Sequence, residues 1–307
     1  MDKKLMNLSP KLLITGASGF TGQHAYRYFM EAGFDVVAVA RKPSFDNQIP
    51  IECCDFTDKE AVKNIIKKIK PQYTLHLAGQ NHVGDSWIDP ISTLETNCIS
   101  TLYLIEALRN ENPSCKIIVV GSALQFSPEN IFTLKHPYSL SKTLQVLVAQ
   151  SWVTLYNMNI VIAKPSNLIG PGFSNGVCSM VAKKIVDIEE SKGEKVLRVH
   201  NLDVQRNFID VRDVVKAYEI LFTKGKAGEI YNVSSGKSCS LREVINIFRN
   251  LTSGDIKFKS QINNKIEQEF EISSLKLMDL GWNPSINLEL SLKETLNFYR
   301  NLKTKGN

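Results

Sequence analysis

The feature that most constrains the fold is a glycine-rich turn near the start of the chain, between an apolar run and an amphipathic stretch. Residues Lys11 to Thr15 are typical of a buried strand, and from Phe20 apolar residues recur at helical spacing until Gly33, which suits a helix end. Between them, residues 15–22 read TGASGFTG, with glycines in a GxxGxxG pattern. Strand, tight turn and helix in this order predict the start of a βαβ unit.

The same alternation continues along the first half of the chain. The predicted strands are continuous apolar runs without an alternating polar face, as in sheets that helices cover on both sides. We therefore predict an α/β fold with a Rossmann-like, doubly wound parallel sheet. Beyond the first, the clearest strands are Val36–Ala40, Tyr73–Ala78, Lys116–Val120 and Asn159–Ala163.

Capping signals and apolar periodicity give the helix limits. Thr57 with Glu60 is interpreted as a capping box that opens a helix, which Pro71 closes, and Ser240 with Glu243 as a second one. A long helix is predicted at about 90–110 and another at about 138–156.

The pattern changes after Pro165, where glycine, proline and asparagine crowd residues 165–176 and later elements become shorter and more polar. We predict that residues 1–165 form the Rossmann-like domain. Residues 166–307 are expected to form mainly a smaller C-terminal α/β domain that binds substrate, with about 204–225 returning to the first domain.

Composition excludes several classes of protein. With 43% apolar and 22% charged residues the chain is in the globular range, and no apolar run approaches the roughly 20 residues that cross a bilayer. The first ten residues lack a signal-peptide core, so we expect a cytoplasmic protein with no membrane partner. The lysines behind the net charge of +6 are scattered, which argues against a nucleic-acid partner. The six cysteines show no metal-ligand spacing, so we expect reduced thiols and no metal.

The glycine turn has the chemistry of an anion site. Glycine lets a pyrophosphate approach the backbone, and the N-terminus of the following helix offers unpaired N–H groups and a partial positive charge. At the start of a βαβ unit this predicts dinucleotide binding, with a merely structural turn as the alternative. The predicted contact residues are Gly16, Ser18, Gly19, Phe20 and Gly22.

The end of the second predicted strand distinguishes the two nicotinamide dinucleotides. NAD sites usually carry an acidic residue there for the ribose hydroxyls, whereas this chain has Arg41 and Lys42. Two cations pair with the additional 2′-phosphate of NADP. We therefore predict NADP(H), with NAD or a solvated basic turn as alternatives. A short third strand is predicted between Val36–Ala40 and Tyr73–Ala78. Asp55, which follows it, is expected either at the adenine amino group or in a turn.

A YxxxK pattern opens the helix after the fifth predicted strand. Tyr138 and Lys142 are four residues apart, so their side chains lie one turn apart on one helix face, and Ser122 ends the preceding strand. An amphipathic-helix tyrosine, a surface lysine and a strand-end serine are the structural alternatives.

Carbonyl reduction explains why these three residue types would occur together. The alkoxide that develops as hydride reaches the carbon needs an acid, and a phenol with an ordinary pKa of about 10 is a weak one. The Lys142 ammonium and the positive nicotinamide ring are expected to lower the pKa of Tyr138. Ser122 would hold the carbonyl oxygen, and Lys142 would also reach the nicotinamide ribose.

With these residues the chain resembles the extended short-chain dehydrogenases/reductases, the family of NDP-sugar epimerases, dehydratases and reductases. The likeness runs from about Lys11 to Arg300. Three later segments make it most similar to GDP-4-keto-6-deoxymannose reductases and GDP-mannose 4,6-dehydratases: NLDVQRNFIDVRDVVKAYEI, GEIYNVSSGKSCSLREV and LGWNPSINLELSLKETL. The likeness also rests on the segments ITGASGFTG, HLAGQNHVGDSWIDP and KPSNLIGPG, on Asn97, and on Ser122 with the YxxxK pair Tyr138 and Lys142.

The resemblance implies a nucleotide-diphosphate-sugar substrate and a homodimer formed through the Tyr138 helix. It also implies further site residues: Leu77 and Ala78 beside the cofactor, Asn81 at the sugar or its phosphate, and Asn167 and Arg206 at the substrate diphosphate.

Several positions depart from the family pattern. Ala123 and Leu124 stand where the dehydratases carry carboxyl groups that move a proton, so the resemblance argues against dehydration. The 16-residue spacing from Ser122 to Tyr138 is shorter than usual, which leaves the sugar open. A family arginine near the C-terminus is replaced by a segment in which Lys265 is only a weak substitute. Arg206 has an alternative role, a salt bridge with Asp210 or Asp213.

Three functions follow. The first is NADPH-dependent reduction of the 4-keto group of an NDP-4-keto-6-deoxyhexose, with Tyr138 as the acid. The alternative is an NDP-sugar 4-epimerase with retained NAD, against which the basic end of the second strand counts. The third is a non-catalytic NADP-binding sensor, although such proteins typically lack the tyrosine or the lysine. No motif distinguishes the nucleotide base or the C4 stereochemistry.

Overall fold

The continuous apolar runs form buried strands, and the amphipathic stretches between them form helices. The computed structural model describes residues 9–42, 49–190, 195–200, 202–252, 256–261 and 272–304. The strands are β1 (Lys11–Thr15), β2 (Asp35–Ala40), β3 (Ile51–Cys53), β4 (Tyr73–His76), β5 (Lys116–Val120), β6 (Ile160–Pro165), β7 (Asn167–Ile169), β8 (Val196–His200), β9 (Gln205–Asp210), β10 (Ile230–Val233), β11 (Ser238–Ser240) and β12 (Lys257–Gln261). The α-helices are α1 (Phe20–Glu31), α2 (Lys59–Ile69), α3 (Val83–Ile88), α4 (Pro90–Leu94), α5 (Ser100–Glu111), α6 (Pro137–Tyr156), α7 (Val177–Glu190), α8 (Val211–Lys224), α9 (Leu241–Leu251), α10 (Leu275–Met278) and α11 (Leu288–Thr304).

Seven strands form the main sheet, in the order β3-β2-β1-β4-β5-β6-β10. The pairs from β3 through to β6 are all parallel. The strand order reverses between β1 and β4, which is where doubly wound sheets bind ligands, beyond the carboxyl ends of the strands. The predicted Rossmann-like α/β fold is confirmed.

Helices α2, α5 and α6 cover one side of this sheet. Their buried apolar residues form a single core with residues from the strands, including Ile66, Leu104, Ile117 and Ile162, all fully buried. Strands β1, β4, β5 and β6 bury consecutive residues, on both faces of the sheet, and the mostly apolar runs in the sequence follow from that burial.

Two helix limits differ from the sequence predictions. Helix α2 is capped by Asp58, whose carboxylate accepts the backbone N–H groups of Glu60 and Ala61 at 3.0 Å each. Thr57 does not cap it, because its hydroxyl donates to Asp55. The helix predicted at about 90–110 is divided, since a π-helical segment (Glu95–Ile99) separates α4 from α5. The predicted capping box of Ser240 with Glu243 is present at α9.

By its contacts the chain divides into two units, Met1–Lys164 with Tyr218–Ile230, and Pro165–Ala217 with Tyr231–Asn307. The segment that returns to the first unit is therefore 218–230 and not the predicted 204–225. Strand β9 lies within 204–225 but pairs with β7 and β11, and this three-stranded sheet belongs to the second unit.

The second unit has its own core. Helices α7, α9 and α11 contribute the buried residues Ile185, Phe248 and Leu296, and β8 pairs with β12 in a parallel two-stranded sheet. None of the described helices is long and apolar enough to cross a membrane.

Candidate active site

The glycine turn lies directly on the end of β4. Gly16 has a left-handed backbone with φ of 66°, and a Cβ atom there would lie 2.7 Å from the backbone nitrogen of Ala78. At Gly22 a Cβ would lie 2.6 Å from the Cα of Ala17, so α1 also packs tightly on the turn. At the exposed Gly19 the nearest atom to a Cβ would be the Gly16 carbonyl oxygen, at 3.2 Å. Two glycines thus serve close backbone packing, and the third leaves its backbone open to a ligand.

Helix α1 begins without a cap. Gly19 is its N-cap residue, no described side chain accepts its first N–H groups, and its first turn contains no acidic residue. In contrast, α2, α6 and α9 each have a side-chain cap. Unpaired N–H groups at a helix N-terminus favour an anion, so the turn with Ser18 and Phe20 on either side of Gly19 fits a pyrophosphate.

Arg41 and Lys42 are both exposed, immediately after β2. Asp55 follows β3, and its Oδ1 accepts the backbone N–H of Thr57 at 2.9 Å and the Thr57 hydroxyl at 2.8 Å. These bonds, with a smaller contribution from Arg41, lower the pKa of the Asp55 carboxyl. Asp55 is therefore a turn residue within electrostatic reach of Arg41, and its contact with adenine stays a prediction.

Gly16 offers a test of the turn because another glycine has the same left-handed backbone conformation but different surroundings. Gly33 has a φ of 86°, and a Cβ there would meet nothing within 4 Å. We expect Gly33→Ala to cost about 1 kcal/mol from backbone strain and to leave NADPH binding unchanged. Gly16→Ala should cost more and weaken NADPH binding at least tenfold, measured by thermal unfolding and fluorescence titration. Equal effects of the two variants would show that close packing on β4 is irrelevant.

The structure brings together the residues predicted to carry the chemistry. Ser122, Tyr138 and Lys142 are 8%, 6% and 7% exposed. Ser122 lies close enough to Tyr138 to lower the pKa of its phenol. The Lys142 ammonium donates to the carbonyl oxygen of Val120, the last residue of β5, at 2.6 Å. A hydroxyl pair and a cation are thus buried where β5 ends and α6 begins.

Burial governs the ionisation of this site. It raises the pKa of Tyr138, and the interaction with Ser122 offsets only part of that rise. It also lowers the pKa of Lys142 to about 7. In the protein alone the pKa of Tyr138 lies above its ordinary value, because removing the phenolate from water costs more than the interaction with Ser122 recovers. The fall expected from Lys142 and the positive nicotinamide ring together stays a prediction.

Ser86, which belongs to the segment HLAGQNHVGDSWIDP on which the resemblance rests, holds the start of α6, a role that sequence reasoning did not assign. Ser86, fully buried on α3, accepts the backbone N–H of Tyr138 at 3.1 Å and donates to the Val83 carbonyl at 2.7 Å. A polar residue on a short amphipathic stretch gives little signal in one sequence. Its partner is 52 positions away, so only the fold identifies it.

Asn97 supports the same helix from the π-helical segment. Its side chain donates to the Ser141 hydroxyl at 2.9 Å and bonds to both the N–H and the carbonyl of Gln80, at 2.7 and 2.9 Å. The loop after β4 and the residue before Lys142 are thus tied to one buried amide. The resemblance included Asn97 but assigned it no role.

The predicted substrate residues are placed separately in the two units. Asn81 is exposed in the loop between β4 and α3. Asn167, on β7, donates from Nδ2 to the Asn207 carbonyl at 3.0 Å, and Arg206, on β9, donates from Nη1 to the Gln205 carbonyl at 3.1 Å. Their roles toward a substrate stay predictions.

The carboxylates considered as partners of Arg206 bond to other residues. Asp210 pairs with Arg212 at 2.8 Å, and Asp213 pairs with Lys216 at 3.4 Å and accepts the Ser285 hydroxyl at 2.7 Å. Lys265 lies outside the described residues. No group of three metal-ligating side chains occurs in the described part of the chain, and all six cysteines are free.

Comparisons with known proteins agree with the observed fold. A model of the NAD dependent epimerase/dehydratase family matches residues 12–234. GDP-6-deoxy-D-mannose reductase of Pseudomonas aeruginosa is 28% identical over 304 residues, which cover 94% of this chain and 97% of that protein.

Solved structures share the fold over nearly the whole chain. The structure of RMD from Pseudomonas aeruginosa complexed with NADPH matches with a TM-score of 0.83 at 26% identity, covering 96% of this chain and 100% of that one. UDP-glucose 4-epimerase of Thermus thermophilus in complex with NAD matches with a TM-score of 0.81 at 22% identity, covering 94% and 99%. The second likeness concerns the fold alone.

Proposed function

Because the chain belongs to the NAD dependent epimerase/dehydratase family, we propose that it is a reductase that uses NADPH on the 4-keto group of an NDP-4-keto-6-deoxyhexose. That the chain is a nucleotide-sugar enzyme of the oxidoreductase kind is supported by its family and by the reductase relative. The finer proposal, reduction of a 4-keto group with NADPH, is supported by the buried site of Ser122, Tyr138 and Lys142, which offers a phenol as proton donor.

Tyr138 is the proton donor in this proposal. The phenol carries a proton at neutral pH and can give it when negative charge develops on the sugar oxygen. Its pKa, raised by burial, makes it a weaker donor until nearby positive charge, from Lys142 or the nicotinamide ring, lowers that pKa again. An epimerase would use the same three residues, so the choice of reduction over epimerisation rests on Arg41 and Lys42, which favour an exchangeable NADPH over a retained NAD.

Ser122 and Lys142 assist that transfer. The Ser122 hydroxyl, which lies beside Tyr138, would hold the same substrate oxygen. Lys142 is a buried cation beside the end of β5 that favours negative charge on nearby oxygens while it is protonated. NADPH, when bound, supplies the hydride. The residues that would hold it are the glycine turn with Leu77 and Ala78 beneath it, Arg41 with Lys42 at its 2′-phosphate, and Lys142 at its ribose.

The relative with the matching fold supports the choice of cofactor, since that protein is complexed with NADPH. The two exposed cations after β2 support it independently, because a guanidinium and an ammonium favour a phosphate over a ribose hydroxyl. NAD is the alternative cofactor.

Replacing these cations should change the cofactor preference. We expect the double variant Arg41→Ala/Lys42→Ala to bind NADPH at least tenfold more weakly and NADH about as before, because only NADPH carries the additional phosphate. Fluorescence titration with each cofactor measures this. A matched control is Lys63→Ala/Lys67→Ala, which removes two exposed cations from α2. An equal loss for NADPH and NADH would contradict phosphate recognition by Arg41 and Lys42.

The proposed reaction is tested with a panel of 4-keto-6-deoxy sugar nucleotides that differ in base and sugar. NADPH should be consumed in equal amount to the sugar with at least one of them, followed by absorbance and product analysis. Purified protein that retains NAD and interconverts C4 epimers without net consumption would instead be a 4-epimerase. Binding of NADP without turnover of any member would favour a sensor.

We also propose that the protein is a homodimer. Helix α6 exposes three apolar side chains, Leu147, Leu155 and Tyr156, at 40%, 66% and 47%. Burying them against a second copy would remove that area from water. Light scattering after gel filtration tests this, and a monomer at micromolar concentration would refute it.

A further inference from the structure

We propose that His76 is a positioning residue that couples the glycine turn to the helix bearing Tyr138 and Lys142, through a single neutral tautomer of its ring. The proposal rests on the proposed function only for what that helix does in catalysis. The network itself follows from distances among described residues of the first unit.

The first side of the network determines where the imidazole proton lies. The Thr15 hydroxyl oxygen accepts two backbone N–H groups, from Leu77 at 3.1 Å and from Ala78 at 3.0 Å. The same oxygen lies 2.8 Å from Nδ1 of His76. With both of its lone pairs used, the hydroxyl directs its own hydrogen at Nδ1, which must then be the acceptor. The ring proton is therefore on Nε2.

The second side requires the same tautomer independently. Nε2 of His76 lies 2.8 Å from the Thr101 hydroxyl oxygen. That hydroxyl donates to the Asn97 carbonyl at 2.7 Å and accepts Nε2 of Gln145 at 2.8 Å. Since its hydrogen is already used, its remaining lone pair accepts the N–H of His76. The two sides agree, so every group around the ring is satisfied by one arrangement only.

Burial keeps this arrangement stable against protonation. His76 is 1% exposed, and burial, with a smaller contribution from nearby Lys142, lowers its pKa to about 3. A doubly protonated ring would face the Thr15 hydroxyl with a second N–H and break the network. We therefore expect the ring to be neutral at neutral pH.

The network connects the glycine turn to helix α6, and within the network these two parts are linked only through other residues. At one end, Thr15 precedes Gly16 and holds the backbone of Leu77 and Ala78 under the turn. At the other, Thr101 holds Asn97, whose amide bonds to Ser141 beside Lys142, and Gln145 one turn further along α6. His76 sits between these ends. A displacement of α6 should therefore change the position of the backbone under the glycine turn.

A double-mutant cycle on NADPH binding tests the coupling in the full-length chain. Thr15→Val and Thr101→Val each remove one hydroxyl and retain the shape of the side chain. We expect Thr101→Val to weaken NADPH binding about threefold or more, although Thr101 is not a predicted cofactor contact. The double variant should bind NADPH as weakly as Thr15→Val alone, because one broken link already disconnects the two ends.

Thr74→Val is the matched control. Thr74 is a fully buried threonine on the same strand, two residues before His76, and it bonds to Cys115 outside the network. It should leave NADPH affinity within twofold of the original. Effects of Thr15→Val and Thr101→Val that multiply, or no effect of Thr101→Val, would overturn the coupling. None of these outcomes depends on which sugar is reduced, so a wrong substrate class is distinguishable from a wrong network.

The tautomer can be measured without any ligand. Long-range proton–nitrogen NMR of the ¹⁵N-labelled chain should show His76 with its proton on Nε2 and no titration between about pH 5 and 9. A proton on Nδ1, or titration near the ordinary value of about 6.5, would overturn the proposal even if every threonine variant folds poorly.

Discussion

Tyr138→Phe should lower the turnover number for keto-sugar reduction roughly 10²-fold or more and leave NADPH binding nearly intact. The change removes one hydroxyl from a buried ring and nothing else. That hydroxyl lies beside Ser122 and carries the only proton that the proposal assigns to the sugar oxygen. Steady-state kinetics and fluorescence titration, measured on the same preparation, separate the two effects.

The control is another buried tyrosine of the same unit. Tyr218 is fully buried, and its hydroxyl has no hydrogen-bond partner among the described residues. Tyr218→Phe therefore removes a hydroxyl of equal burial without touching the site, and the rate should be unchanged. If Tyr138→Phe were as active as Tyr218→Phe, the proton would come from another group.

Lys142→Met should abolish most activity and make the protein more stable. The pKa of Lys142 falls from 10.5 to about 7 on folding because burial penalises its charge, and each pKa unit corresponds to ~1.4 kcal/mol. An apolar side chain of similar length avoids this cost. It forfeits the hydrogen bond to the Val120 carbonyl, which offsets about 1–2 kcal/mol of the gain. We expect a melting temperature several degrees above that of the original protein at pH 7.

The gain from Lys142→Met should depend on pH in a defined direction. Between about pH 7 and 10.5 the unfolded chain keeps the lysine proton that the folded chain has lost, so the stability of the original protein rises with pH in this range. The advantage of the variant is then greatest at or below pH 7 and disappears toward pH 10.

Lys67→Met, at an exposed position on α2, should show no such pH-dependent gain. A Lys142→Met variant that is less stable at every pH would mean that the buried lysine contributes more through its hydrogen bond than it loses by desolvation.

Local patterns predicted much of the site. The turn around Gly16 and the YxxxK pattern of Tyr138 and Lys142 are short stretches whose chemistry depends on neighbours within one turn of chain. The basic pair after β2 is of the same kind. Such features can be interpreted from one sequence because backbone geometry alone brings their parts together.

The contacts that hold the site were not predictable in this way. Ser86 lies 52 positions from the helix start it caps, and Thr15 lies 61 positions from His76. The division of the predicted long helix at Asn97 likewise depends on what that side chain meets across the fold. No periodicity or spacing in the chain encodes these pairings.

Most of the secondary structure, the fold class and the candidate residues Tyr138 and Lys142 thus follow from the order of amino acids, since apolar periodicity and short motifs act over a few residues. The ionisation of the site does not. The Lys142 ammonium was expected to acidify Tyr138, yet in the protein alone burial raises the pKa of Tyr138 and lowers that of Lys142. How far a group is removed from water depends on every element packed around it, and only the tertiary structure brings those elements together.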